Sequence, residues 1–191
     1  MSREAARSVN PALAGASSRA PGVILGVLGF AALTALGARL SVPLPGMVVP
    51  MTLQPVAVLL AGAVLGSRAG AASQVAYIAA GAMGLPVFVA GGGAAYLLGP
   101  TGGYLLAFPA AAAIAGLAGK RTGSWFRAAV WLGVALVVIH LGGLAWLAIL
   151  GGGSLVSAGA VRPFILGDAL KVLLVLAIVR WGPGVLRRTT P

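Results

Sequence analysis

Arg162-Pro163-Phe164-Ile165-Leu166-Gly167-Asp168-Ala169-Leu170-Lys171, followed by unbroken apolar residues to Val179, reads as a membrane-spanning helix carrying a charged pair. The chain has only two acidic residues in 191, and Asp168 is one of them. An ionisable group in hydrocarbon costs roughly 2.5–3.5 kcal/mol on insertion scales, so such a residue marks a functional position. Asp168 and Lys171 are spaced i, i+3 and share one helix face. Together they are the first candidate site.

The rest of the composition agrees with a bilayer as solvent. Hydrophobic residues make up 60% of the chain and charged residues 8%, too few to cover a soluble domain of this size. The formal charge of +11 comes from single or paired basic residues between apolar blocks, without a basic groove interleaved with aromatics. This excludes a nucleic-acid partner and points to topology signals and anionic lipid headgroups. Cysteine is absent and His140 is the single histidine, which excludes disulfides and thiolate metal sites and leaves no ordinary zinc site. No cofactor is expected.

Apolar blocks predict six helices, at about 23–38, 52–66, 69–83, 103–119, 128–150 and 163–181. A span needs roughly 17–25 residues, so the second and third are short unless their flanks contribute. The predicted fold is an all-α integral membrane protein of six transmembrane helices. Its domain covers 22–182, between an N-terminal tail (1–21) and a C-terminal tail (183–191). Ten basic residues fall on the side of both termini and two, Arg39 and Arg162, on the other, which predicts cytoplasmic termini. A cleaved signal peptide ending near Ala35-Leu36-Gly37 is disfavoured, because it would leave an odd number of spans. With this orientation Asp168 lies near the outer end of the sixth helix.

Two external segments differ from ordinary connectors. Residues 42–55 are apolar and Pro-rich, which predicts extended or re-entrant backbone that lines a cavity. Thr52 resembles an N-cap there, and Gln54 brings a side-chain amide to the outer end of the second helix. Residues 84–104 carry no charge, many glycines including Gly91, Gly92 and Gly93, and the aromatics Phe88, Tyr96 and Tyr104. They read as either an interfacial loop or a ligand lid. The expected outer face is therefore irregular, Gly/Pro-rich and placed over a ligand cavity. Gln74 and Tyr77 read as packing groups or interhelical donors. His140 reads as an interhelical hydrogen bond rather than a proton relay, since no acid is placed to relay with it.

Several of these stretches resemble the BioY family: Pro50-Met51-Thr52-Leu53-Gln54 with Leu59 to Gly66, Gly81 to Phe88 with the glycine run, Gly99-Pro100-Thr101-Gly102-Gly103-Tyr104, and Arg162 to Lys171. The family comprises the biotin-specific substrate-capture (S) subunits of energy-coupling-factor transporters. The chain departs from the family pattern in its three consecutive glycines and in lacking an asparagine near Met83-Gly84. The resemblance implies a non-catalytic biotin uptake subunit in the bacterial inner membrane, partnered by a transmembrane coupling subunit and two ATPases. It implies that Asp168, Lys171, Gln54, Thr52, Phe88, Gly91, Gly92, Gly93, Tyr96 and Tyr104 bind biotin. It further implies that Ala31 and Ala35 dock on the coupling subunit, although the same small-residue spacing serves internal packing. The competing readings are an S subunit for another vitamin and a membrane-embedded enzyme using His140 and Asp168. The sequence leaves open whether the chain works alone, as a homo-oligomer or only with ATPase partners.

Overall fold

A computed structural model describes residues 11–120, 124–151 and 162–181. Among the described residues there are six α-helices: α1 (Pro11–Arg39), α2 (Gln54–Leu65), α3 (Ser67–Ala82), α4 (Gly102–Lys120), α5 (Trp125–Gly151) and α6 (Arg162–Trp181). Helix α1 begins at Pro11, within the stretch expected as an N-terminal tail. The expected C-terminal tail lies outside the described residues.

The Pro-rich segment after α1 forms a small antiparallel hairpin, β1 (Ser41–Val42) and β2 (Met51–Thr52), with Ser41 opposite Thr52 and Val42 opposite Met51. Proline cannot donate to a ladder and restricts the residue before it, so pairing stops after two residues on each side. The segment after α3 returns through a Phe88–Gly91 bridge and a 3-10 helix at Ala94–Leu98. Residues of both irregular segments and of the first turns of α6 line one cleft.

Among the described residues, two helices are long and apolar enough to cross a membrane by themselves, Pro21–Arg39 and Trp125–Gly151. Helices α2 and α4 are apolar but shorter, and α2 at 12 residues rises only about 18 Å. The outward faces carry large apolar side chains, such as Leu25 and Leu28 on α1, Val137 and Leu141 on α5, and Leu166, Leu170 and Leu173 on α6. Apolar surface on this scale is stable against hydrocarbon and not against water. The chain is a membrane protein.

The core is built where small residues let helices converge. Helix α4 packs most extensively on α5 and also on α2 and α3, while α6 lies against α2 and α5. A Cβ added at Gly62 of α2 would collide with the Ala112 carbonyl and the Ala115 methyl of α4. One added at Gly70 of α3 would collide with the backbone at Gly62. Three helix backbones therefore approach at one point, as small residues permit in membrane bundles. Buried polar groups bind one another beside this point. The Thr34 hydroxyl on α1 lies 2.9 Å from the Phe30 carbonyl and 3.2 Å from Gln74 Oε1 on α3. Gln74 Nε2 donates to Ser73 Oγ at 3.0 Å. Gln74 is thus an acceptor between helices as well as a packing group.

Gly62→Ala should lower stability by about 1–3 kcal/mol through overpacking against a backbone carbonyl that cannot rotate away. Gly29→Ala, at a position with nothing within 4 Å of the added carbon, serves as the matched control. Thermal unfolding in detergent should show a lowered midpoint for the first and none for the second; equal midpoints would contradict the packing assignment.

Candidate functional site

The hairpin, the 84–101 segment and helices α2, α4, α5 and α6 enclose a cleft of about 590 Å³, its open mouth included. Apolar walls with a few placed polar groups are the composition of small-molecule sites. The cleft walls are Val49, Pro50, Pro55 and Val89 near the mouth, and Leu105, Phe108, Leu136, Ile139 and Phe164 on the helices. The polar groups are Thr52, Gln54, Thr101, His140, Asp168 and Lys171, with the hydroxyls of Tyr96 and Tyr104.

The charged cluster has a definite arrangement. Lys171 Nζ donates to Asp168 Oδ1 at 2.9 Å, as the i, i+3 spacing on one face allows. His140 Nε2 on α5 lies 2.5 Å from Asp168 Oδ2. The reason given for excluding a His140 relay is therefore corrected, because an acid does face this histidine. The interhelical hydrogen bond expected of His140 exists, and its partner is Asp168. The two residues are 28 apart in sequence, and only the packing of α6 against α5 joins them. A paired carboxylate with two donors compensates much of the desolvation that either charge would suffer alone.

The second polar group starts at Thr52. It is not the N-cap of α2; that position is Leu53, without a side-chain cap. Thr52 is held in β2, so its hydroxyl reaches forward to Gln54 instead, 3.4 Å from the backbone nitrogen and 3.3 Å from Oε1. Gln54 Nε2 donates to the Tyr77 hydroxyl at 2.7 Å, and that hydroxyl donates to the Val87 carbonyl at 3.2 Å. The Arg39 guanidinium at the end of α1 holds the adjacent Pro86 carbonyl. Two side chains from different helices thus anchor consecutive carbonyls of the 84–93 segment, just before Phe88.

Phe88 is fully buried and stacks on Tyr96 with ring centroids 4.8 Å apart, while Tyr77 meets its edge at 5.5 Å. Room for these rings comes from glycines on the facing helices. A Cβ at Gly81 would enter the Phe88 ring, and one at Gly143 would enter the Tyr104 ring.

Of the site residues expected from sequence, Thr52, Gln54, Phe88, Tyr96, Tyr104, Asp168 and Lys171 all line the one cleft. Gly91, Gly92 and Gly93 do not. Gly91 and Gly93 have φ of +131° and +101°, which side chains rarely adopt, and a Cβ at Gly92 would strike the Leu85 carbonyl. These glycines shape the turn that carries Phe88. Ala31 and Ala35 lie half-buried against the hydrophobic core, the packing role that their spacing also serves.

Sequence reasoning missed His140 as a cleft residue, and with it Phe164 and Phe108. Phe164 had a signal, standing one helical turn before Asp168 on the same face. Phe108 had the same kind of signal, standing one turn after Tyr104 on the same face of α4.

Tyr77 does not line the cleft but connects it to its cover. Tyr77→Phe leaves the Gln54 amide and the Val87 carbonyl each short of a buried partner, and should destabilise the fold by about 1–3 kcal/mol. Hydrogen exchange should increase at 87–91 more than in α5; uniform exchange across both would refute the anchoring role.

Comparison with known proteins agrees with this geometry. Residues 11–188 match the BioY family as a whole. The probable biotin transporter BioY of Pyrococcus horikoshii is 43% identical over 150 residues, covering 78% of this chain and 88% of that protein. The biotin transporter BioY of Rhodobacter capsulatus is 38% identical over 167 residues, covering 79% and 87%. The crystal structure of the S-component for biotin from an ECF-type ABC transporter superposes with a TM-score of 0.77 at 27% identity, covering 85% of this chain and 91% of that one. The extent of the match and the order of its shared motifs leave one assignment: the chain belongs to the BioY family.

Proposed function

We propose that this protein binds biotin in the cleft and mediates its uptake as the S component of an ECF-type transporter. The observation that carries the reading is the cleft itself, apolar on most walls and carrying two groups of polar residues. One group is the Asp168–Lys171–His140 cluster, and the other is the Thr52–Gln54 pair. Biotin has a matching distribution. Its thiophane ring is apolar, its ureido ring carries two N–H donors and a carbonyl, and its side chain ends in a carboxylate. Asp168 accepts a ureido N–H, Lys171 neutralises the cluster, and Thr52 with Gln54 meets an oxygen of the ligand. Phe88, Tyr96 and Tyr104 cover the rings, and Gly91 to Gly93 serve the site through the shape of the loop that positions Phe88.

The reading is of a non-catalytic subunit. Energy for uptake then comes from partners, a transmembrane coupling subunit and two ATPases; the similar solved structure is described as the S-component for biotin from an ECF-type ABC transporter, which supports work within a larger transporter. The exposed flank of α1 is apolar and carries small residues beside Ala31 and Ala35, which supports it as a docking helix. All six helices are placed in the bacterial inner membrane, with both termini in the cytoplasm and the cleft toward the outside. The positive-inside distribution supports this orientation. A fluorescent reporter fused after Pro191 should be active only on the cytoplasmic side; activity on the outer side would reverse the topology.

Labelled biotin offered to the purified protein in detergent or nanodiscs should bind saturably, with thiamine and riboflavin unable to compete. Asp168→Asn removes the charged acceptor and unbalances Lys171, and should weaken biotin binding by about tenfold to a hundredfold, since hydrogen bonds to charged groups are worth about 1.5–3 kcal/mol. Absence of saturable binding to the native protein would refute the biotin reading. Unchanged affinity in Asp168→Asn would refute the role given to that residue.

A further inference from the structure

The fixed charges of the cleft are already balanced by one another. Among the described residues that line it, only Asp168 and Lys171 carry a fixed charge, and they are paired at 2.9 Å. Lys171 is buried, so its ammonium is committed to that pair within the wall. Neither nitrogen of His140 is open to an incoming anion: Nε2 lies 2.5 Å from Asp168 Oδ2, and Nδ1 is buried. Pro50, Pro55, Val89, Tyr96 and Thr101, wall residues that remain partly exposed, are all uncharged. Arg39 stands outside the wall, with its guanidinium on the Pro86 carbonyl. A ligand carboxylate therefore meets no unpaired cation among these residues.

We infer that the cleft recognises the ring system of biotin and not its acid, so that its ligand class extends to neutral carboxyl derivatives, the esters and amides of biotin. The inference rests on the biotin reading and deepens it. The ureido ring and the carboxylate of biotin are at opposite ends of the molecule, separated by the thiophane ring and a chain of methylenes. With a ureido N–H on Asp168, Lys171 stands beside the ring end, and the carboxylate is carried away from it. Were the carboxylate brought to Lys171 instead, one ammonium would serve two buried carboxylates, and a buried charge without a partner of its own is strongly disfavoured. An ester or amide keeps the ureido donors, the apolar ring and a carbonyl acceptor that the Thr52–Gln54 pair can meet. It lacks only the charge for which the wall holds no counterion. The cleft has an open mouth, through which an added substituent can project. Biotin joined through its carboxyl to the amine of an amino acid belongs to this class.

The test is displacement of labelled biotin from the native full chain in nanodiscs by unlabelled biotin, biotin methyl ester and biotin N-methylamide. Hydrogen bonds to charged groups correspond to about tenfold to a hundredfold in affinity, so both neutral derivatives should lie less than about tenfold below biotin. A larger loss in both would mean that a cation receives the carboxylate, Arg39 and Arg162 being the two expected on the outer side. A larger loss in one alone would mean that its substituent does not fit the mouth. Either result overturns the inference while leaving the biotin reading intact. Native protein that binds no labelled biotin removes the biotin reading and the inference with it. No substitution enters the comparison, so a variant that fails to fold cannot imitate any of these outcomes.

Discussion

The hydrogen-bonded cluster of Lys171, Asp168 and His140 is the constraint around which the rest of the molecule is arranged. A carboxylate placed among apolar helices must have its charge balanced and its lone pairs occupied, or the segment carrying it will not remain there. Lys171 supplies the opposite charge from the same helix, one turn away. His140 supplies the second donor from α5, which makes the cluster a joint between helices as well as a site. Because Asp168 is engaged from two directions, its carboxylate has a set orientation in the cleft before any ligand arrives. Such preorganisation reduces the ordering cost of binding.

The second polar group of the cleft follows a related logic with neutral groups. Gln54 lies on the cleft wall, but its amide is oriented by Thr52 on one side and the Tyr77 hydroxyl on the other. Tyr77 passes that connection to the Val87 carbonyl, and Arg39 secures the neighbouring Pro86 carbonyl. The segment that covers the cleft is therefore tied to α1 and α3, and through Tyr77 to Gln54 on the cleft wall. Phe88 is the consequence: a fully buried ring, held between Tyr77 and Tyr96, in a stretch of chain without regular secondary structure.

Glycine explains how a cleft exists in so small a bundle. At Gly62 and Gly70 the absence of a side chain lets α2, α3 and α4 approach until their backbones touch. At Gly81 and Gly143 the same absence leaves space that aromatic rings occupy. At Gly91 and Gly93 it permits a backbone conformation that turns the covering segment. The glycines thus have three physical uses, close packing, ring accommodation and turn geometry.

Much of this was legible in the sequence because its causes are local. Helix periods, the basic residues that orient them and the i, i+3 relation of Asp168 and Lys171 depend on chemistry within a few residues or on bulk composition. The prolines of the first external segment likewise dictate its extended backbone without help from elsewhere. What lay beyond reading was every relation between distant segments. His140 looked unaccompanied because its acid partner is 28 residues away and becomes a neighbour only when α6 packs beside α5. Thr52 looked like a cap, but pairing with Ser41 across the hairpin moved the helix start past it. Gly91 to Gly93 looked like ligand contacts, and the positive φ of Gly91 and Gly93 and the crowded position at Gly92 add a backbone role that the sequence did not reveal. The sequence by itself determined the solvent, the helices and the charged pair, since hydrophobicity and helical spacing act at short range. The tertiary structure alone decided which residues share the cleft and that Asp168 meets His140 there, because those depend on distances that no local pattern encodes.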